Sequence, residues 1–121
     1  GLTDAGSTTR SFAELIDVYP TLTELCRLET PEHAQGESLV PVLKNPTTSV
    51  RESAYTVVSR PGLLGCSIRH QNWRYAEWGG ADVAELYDLS KDPDEYHNLA
   101  GNPEYAAVVQ ALSKELKQRN P

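Results

Sequence analysis

The 121-residue sequence has no methionine, one phenylalanine and only two cysteines, Cys26 and Cys66. Two cysteines are too few for a disulfide framework and lack the paired spacing of a zinc site, so we expect both to be buried as small apolar side chains. Lysine and arginine never form a run longer than a pair, and the formal net charge is -6. Proteins that bind nucleic acid need clustered cations, so a nucleic-acid partner is not expected.

Long apolar runs are also missing. No stretch approaches the ~20 apolar residues that cross a bilayer, and residues 1–6 lack the basic start and apolar core of an export signal. We therefore predict no membrane segment. Localisation stays unknown from this chain, since a fragment would have any export signal upstream. The length and the 39% hydrophobic content suit one domain or part of one.

The two ends of the chain show helix signals. Asp17 is predicted to cap a helix over residues 18–27, which places Pro20 in the first turn, after an extended stretch over residues 12–16. Its buried face is expected to hold Leu22, Leu25 and Cys26. Near the C-terminus, Asn102-Pro103 starts a second helix, whose apolar stripe is Tyr105, Val108, Val109, Leu112 and Leu116.

The middle of the chain predicts strands at residues 55–59, 64–70, 73–78 and 83–89. The two residues Gln71-Asn72 suit a hairpin turn that pairs Arg69 with Arg74 and His70 with Trp73. Alternation then places one set on the core face: Cys66, Ile68, His70, Trp73 and Tyr75. The predicted fold class is α+β, a small antiparallel sheet of about four strands packed by a C-terminal helix, preceded by an extended segment and a short helix.

The facing arginines are the feature that points most directly to binding. Like charges opposite each other on a sheet repel unless an anion lies between them. A carboxylate of Glu85 or Glu52 would supply this negative charge from within the protein. Alternatively, a bound anionic ligand would supply it. The candidate substrate-binding residues are therefore Arg69, first, with His70, Trp73 and Arg74.

No catalytic residue or metal ligand is predicted within the chain. The three histidines, His33, His70 and His97, have no partner at metal-ligand spacing, and no serine lies in the Gly-x-Ser-x-Gly turn of a nucleophile.

Three segments carry a family resemblance. Residues 85–100, with E-L-Y-D-L, D-P-x-E and N-L-A in order, resemble the C-terminal pattern of the sulfatase family in the alkaline phosphatase superfamily. Residues 17–22 are similar to its D-x-x-P-T-L helix start, and residues 36–43 to its G-x-S-L-x-P-x-L turn. Residues 65–69 and 73–78 most resemble the iduronate-2-sulfatase branch, although Cys66 stands where that branch has tyrosine.

The resemblance implies that the chain contains parts of two domains. Residues 1–50 would be the tail end of the sulfatase catalytic α/β domain, and residues 51–121 the C-terminal subdomain that packs beside it. Such enzymes use calcium and a formylglycine made from a C/S-x-P-x-R motif, which neither Cys26 nor Cys66 begins. The chain is thus expected to be a fragment, inactive by itself and without a cofactor, which helps shape the substrate rim.

The implied partners are the catalytic domain of the same protein and a sulfated sugar. We also expect an exposed apolar patch where that domain docks, with possible self-association of the fragment. The resemblance implies a periplasmic, secreted or lysosomal parent. Two alternatives stay open: a fragment of a related phosphoester or phosphonate hydrolase, and a stand-alone binding or interaction module.

Overall fold

The computed structural model describes residues 6–80 and 82–119. It divides into two compact units, one reaching Ala54 and the other starting at Tyr55. Each unit is described by itself. Among the described residues, no helix is both long enough and apolar enough to cross a membrane.

The first unit contains a 3-10 turn over Leu15–Asp17, then helices α1, Val18–Leu25, and α2, Val40–Lys44. As predicted, Asp17 is the N-cap residue of α1, with Pro20 in its first turn. The extended stretch ends two residues early. The Asp17 carboxylate accepts the Glu14 N–H at 2.8 Å, and Asp17 N–H donates to the Glu14 carbonyl, so a 3-10 turn forms where extended chain was expected.

The predicted buried face of α1 is wrong. Leu22 and Leu25 are 54% and 43% exposed, and Cys26 is exposed as well. The buried residues of α1 are Pro20, Thr21 and Thr23. Thr21 Oγ1 donates to the Asp17 carbonyl at 2.6 Å and accepts the Leu39 N–H at 2.8 Å. Hydrogen bonds of threonines therefore hold this side of the helix, and its leucines are left on the surface.

The second unit is an antiparallel sheet. Strands β1, Ser53–Arg60, β2, Leu63–His70, β3, Trp73–Trp78, and β4, Ala84–Asp88, follow in chain order across it, and β1 starts just before the boundary between the units. Helix α3, Ala106–Arg119, follows a 3-10 turn over Pro103–Tyr105, where Asn102 Oδ1 caps the Glu104 N–H at 3.0 Å. The predicted α+β class is confirmed.

The hairpin register is also confirmed. Arg69 pairs with Arg74 and His70 with Trp73, because Gln71 takes up the left-handed conformation that the two-residue turn requires, with φ 51°. The core lies between one sheet face and α3, and its fully packed members are Cys66, Ile68, Tyr75, Leu86, Leu112 and Leu116. The hairpin is thus anchored on one face and presents the other outward.

Candidate functional site

The four candidate residues of the hairpin lie on two faces of the sheet. His70 and Trp73 face α3: His70 Nδ1 lies 2.9 Å from Glu115 Oε2, and the Trp73 ring meets the Tyr105 ring edge-on, 5.7 Å between centroids. Arg69 and Arg74 point to the opposite face, which we call the outer face. The structure therefore brings the two arginines together and separates them from His70 and Trp73.

Arg74 is satisfied internally. Its Nε and Nη2 donate to Glu95 Oε1 and Oε2 at 2.5 and 2.6 Å, a two-pronged pairing of guanidinium with carboxylate. Glu85 Oε2 lies farther away, 3.7 Å from Nη2, and the guanidinium carbon is 5.2 Å from the Tyr87 ring centre. Glu85 or Glu52 was the expected partner, whereas the dominant one, Glu95, comes from the acidic turn over residues 92–95.

Arg69 differs from its neighbour. Its side chain is exposed, and within residues 6–80 and 82–119 its guanidinium has no hydrogen bond or ion pair. An exposed arginine opposite a neutralised one presents a positive charge to solvent. This is the property required of a residue that meets a sulfate or carboxylate group.

The D-P-x-E part of the motif builds the acidic turn. Asp92 Oδ1 and Oδ2 accept the N–H groups of Tyr96 and His97 at 3.1 and 2.8 Å. The bond from His97 is the main cause that lowers the pKa of Asp92, and the bond from Tyr96 adds to it. They hold Glu95 in a left-handed conformation, φ 61°, from which its side chain reaches Arg74.

The N-L-A part of the motif secures the edge of the sheet. Asn98 Oδ1 accepts the N–H groups of Leu86 and Ala100 at 3.0 and 2.9 Å, while Asn98 Nδ2 donates to the Ala84 carbonyl at 3.1 Å. The side chain thus substitutes for a neighbouring strand along β4. The motif residues Asp92, Glu95 and Asn98 therefore have structural roles in this domain.

A buried carboxylate lies on the α3 side of the sheet. Glu77 Oε1 accepts the hydroxyls of Tyr75 and Ser113 at 2.8 and 2.7 Å. Burial is the main cause that raises the pKa of Tyr75 to about 12. Both Glu77 and Tyr75 are buried, so their hydrogen bonds hold α3 on the sheet.

The described residues do not form a metal centre. No three His, Cys, Asp or Glu side chains in that part of the chain converge as ligands would. The calcium that the resemblance implies for a complete enzyme therefore does not fit the groups described in this chain.

Fold and motif together define a C-terminal domain of a sulfatase-type protein. The chain matches, over residues 1–121, the family described as N-sulphoglucosamine sulphohydrolase, C-terminal, and belongs to that family.

One curated relative is the delta 4,5-hexuronate-2-O-sulfatase of Bacteroides thetaiotaomicron. It is 33% identical over 102 residues, which are 78% of this chain and 21% of that protein. The curated relatives are much longer in general, since the chain spans between 20% and 29% of the length of those it matches.

Two solved structures resemble the chain closely. One, a protein in complex with its substrate D-glucosamine-2-N,6-O-disulfate, gives a TM-score of 0.84 at 29% identity, over 97% of this chain and 26% of that one. The other, the phosphonate monoester hydrolase of Agrobacterium radiobacter, gives 0.80 at 28% identity, over 94% and 26%. The likeness therefore extends to sulfate-ester and phosphonate-ester hydrolases alike.

Proposed function

We propose that this chain is the C-terminal part of a sulfuric ester hydrolase that acts on a sulfated sugar, similar to the iduronate-2-sulfatases, and that it helps shape the substrate rim. Two relatives support the substrate class. One is named for removing a 2-O-sulfate from a hexuronate, and the other was solved with a sulfated glucosamine. The catalytic residues would lie in the preceding domain.

The observation that carries the proposal is the unequal pairing of the two outer-face arginines. Arg74 is held by Glu95, whereas Arg69 is exposed and has no ion pair among the described residues. Arg69 would therefore meet a sulfate or carboxylate group of the sugar, with Arg74 beside it. His70 and Trp73 would hold the hairpin from the α3 side through Glu115 and Tyr105.

Catalysis itself would belong to the other domain. Neither cysteine begins the C/S-x-P-x-R motif. When present, calcium and a formylglycine would supply the nucleophile and the electrostatic stabilisation of the sulfuryl oxygens. The residues of this chain would bind and orient the sugar.

The exposed apolar side chains of the first unit would contact the rest of the catalytic domain, of which residues 1–50 would be the tail end. Leu15 is 90% exposed, and further exposed apolar residues follow on the 3-10 turn and α1: Ile16, Val18, Tyr19, Leu22 and Leu25. Several large apolar side chains exposed on one short segment are typical of an interface. Left uncovered, it would favour self-association of the separate chain.

The test is the intact protein with Arg69 replaced by alanine. We expect KM for a 2-O-sulfated hexuronate disaccharide to rise about tenfold, the loss of one charge-assisted contact, with kcat much less affected. Arg60→Ala is the matched control, because Arg60 is an exposed arginine of the same sheet whose guanidinium lies 5.2 Å from the Trp78 ring centre. Equal KM values for the Arg69→Ala and Arg60→Ala variants would show that Arg69 does not contact the substrate.

A phosphonate monoester hydrolase is the second candidate. The structural likeness to such an enzyme, a TM-score of 0.80, favours it almost as strongly. Hydrolysis of a phosphonate monoester in preference to the sulfated disaccharide would establish it. A stand-alone binding module, in contrast, would bind the disaccharide as this chain alone without turnover.

A further inference from the structure

The outer face carries a balanced set of charges around one cross-strand pair. Arg69 and Arg74 are directly opposite each other on β2 and β3. Glu95 takes two donors of Arg74, and Glu85 lies 3.7 Å from the same guanidinium. Two positive and two negative charges thus meet here, yet both carboxylates contact the same arginine.

We propose that Glu95 is a specificity-determining residue, which limits the anion-binding capacity of this face to one arginine. The inference rests on the proposed function, in which Arg69 meets an anionic group of the sugar. With Glu95 in place, a sulfate at Arg69 finds Arg74 already occupied. The site then suits a sugar with a single sulfate or carboxylate at this position, and a neighbouring second anion would meet the carboxylates of Glu85 and Glu95.

The geometry of the pair shows how Glu95 occupies one edge of the Arg74 guanidinium. A guanidinium offers its donors in a planar fork, and the edge formed by Nε and Nη2 is filled by the two oxygens of Glu95. The Tyr87 ring lies 5.2 Å from the guanidinium carbon and limits its movement on another side. An anion that approaches the Nε/Nη2 edge of Arg74 would have to displace the Glu95 carboxylate.

The backbone of the turn keeps Glu95 in this position. Residues with a side chain seldom adopt a φ near the 61° of Glu95, so the surrounding bonds must hold it there. They do so on both sides: Glu95 N–H donates to the Asp92 carbonyl at 3.2 Å, and the Asp92 carboxylate accepts the next two N–H groups, of Tyr96 and His97. The Glu95 carboxylate is therefore preorganised beside Arg74, because hydrogen bonds within the turn hold the backbone that carries it.

The test is a titration of the 121-residue chain with sodium sulfate at constant ionic strength, balanced with sodium chloride. Side-chain Nε–H signals in ¹H–¹⁵N NMR spectra report each arginine separately. In the wild type, we expect sulfate to shift the Arg69 signal and leave the Arg74 signal in place. In Glu95→Gln and Glu95→Ala, we expect both signals to shift and the affinity for sulfate to rise at least about threefold, the scale of one exposed charge contact.

Asp94→Asn is the matched control, because it removes the same charge from the same turn without a contact to Arg74. It should bind sulfate as the wild type does. Equal affinities in wild type and both Glu95 variants, with Arg69 still responding, would refute the role of Glu95 and leave Arg69 as the anion contact. If sulfate does not shift the Arg69 Nε–H signal in any variant, the proposed role of Arg69 itself is refuted. The Glu95→Gln variant, which keeps the size of the side chain, guards against loss of the fold in the alanine variant.

Discussion

Replacing Arg51 by methionine should strongly destabilise the first unit. The Arg51 side chain is 6% exposed and lies between two buried carboxylates, Asp17 at 0% and Glu14 at 8%. Its Nη1 is 3.2 Å from Glu14 Oε1, and its Nη2 contacts Asp17 Oδ1. Asp17 also accepts the N–H groups of Glu14 and Glu37, each at 2.8 Å. One arginine thus neutralises a carboxylate that joins three segments of the unit.

The magnitude follows from burial. Exposed ion pairs contribute about 0–1 kcal/mol, whereas removing one partner of a buried pair costs about 3–5 kcal/mol because the other charge stays buried without compensation. In Arg51→Met, two carboxylates would share a site from which water is excluded. We expect a loss of about 3–5 kcal/mol, a large part of the ~5–15 kcal/mol that stabilises a typical domain.

Urea unfolding, together with hydrogen exchange at the amides of Glu14 and Glu37, would measure the effect. Both amides donate to Asp17, so their protection should fall with the loss of Arg51. Lys44→Met is the control, since Lys44 is an exposed cation in the last turn of α2 and its loss should cost at most about 0.5 kcal/mol. If the two variants are equally stable, the buried pair does not hold this unit together.

Gly36→Ala should cost about 3 kcal/mol in urea unfolding, because a Cβ would lie 2.0 Å from the Ile16 carbonyl oxygen, while Gly101→Ala, which has open space, should cost little. The stability of the second unit should fall between pH 10 and pH 12, since the pKa of Tyr75 rises from 10.0 to about 12 on folding and the unfolded chain therefore ionises first; Tyr75→Phe should lessen this slope. The pKa of Asp92 is lowered from 3.8, chiefly by the His97 N–H, so ionised Asp92 contributes stability above pH 3.8 that is lost as pH falls through the lower folded pKa. The Asp92→Asn variant should therefore lose less stability on acidification than the wild type. Equal acid dependence of stability in the two proteins would contradict this prediction.

The sheet and the C-terminal helix could be predicted because their signals are local. Gln71-Asn72 lies between two β-rich runs, so a two-residue turn and its register follow directly, and Arg69 must then face Arg74. Asn102-Pro103 marks the start of a helix for equally local reasons: a side chain that accepts an N–H and a residue that needs no N–H.

The buried face of α1 could not be predicted in this way. Hydropathy favours burial of Leu22 and Leu25, yet burial of Thr21 depends on Leu39, a partner 18 residues away that no local pattern reveals. The same limit applies to the arginine pair. The hairpin register showed that a counter-charge was needed, but only the fold brings Glu95, 21 residues from Arg74, within 2.5 Å of it.

We propose that this domain belongs to an enzyme that hydrolyses sulfate esters of sugars. The most direct test of this proposal is to compare kcat/KM of the intact protein for a 2-O-sulfated hexuronate disaccharide and for a phenyl phosphonate monoester under the same conditions. We predict a higher kcat/KM for the sulfated sugar, and a preference about tenfold smaller in Arg69→Ala. A higher kcat/KM for the phosphonate ester, unchanged in Arg69→Ala, would contradict both the proposed reaction and the proposed role of Arg69.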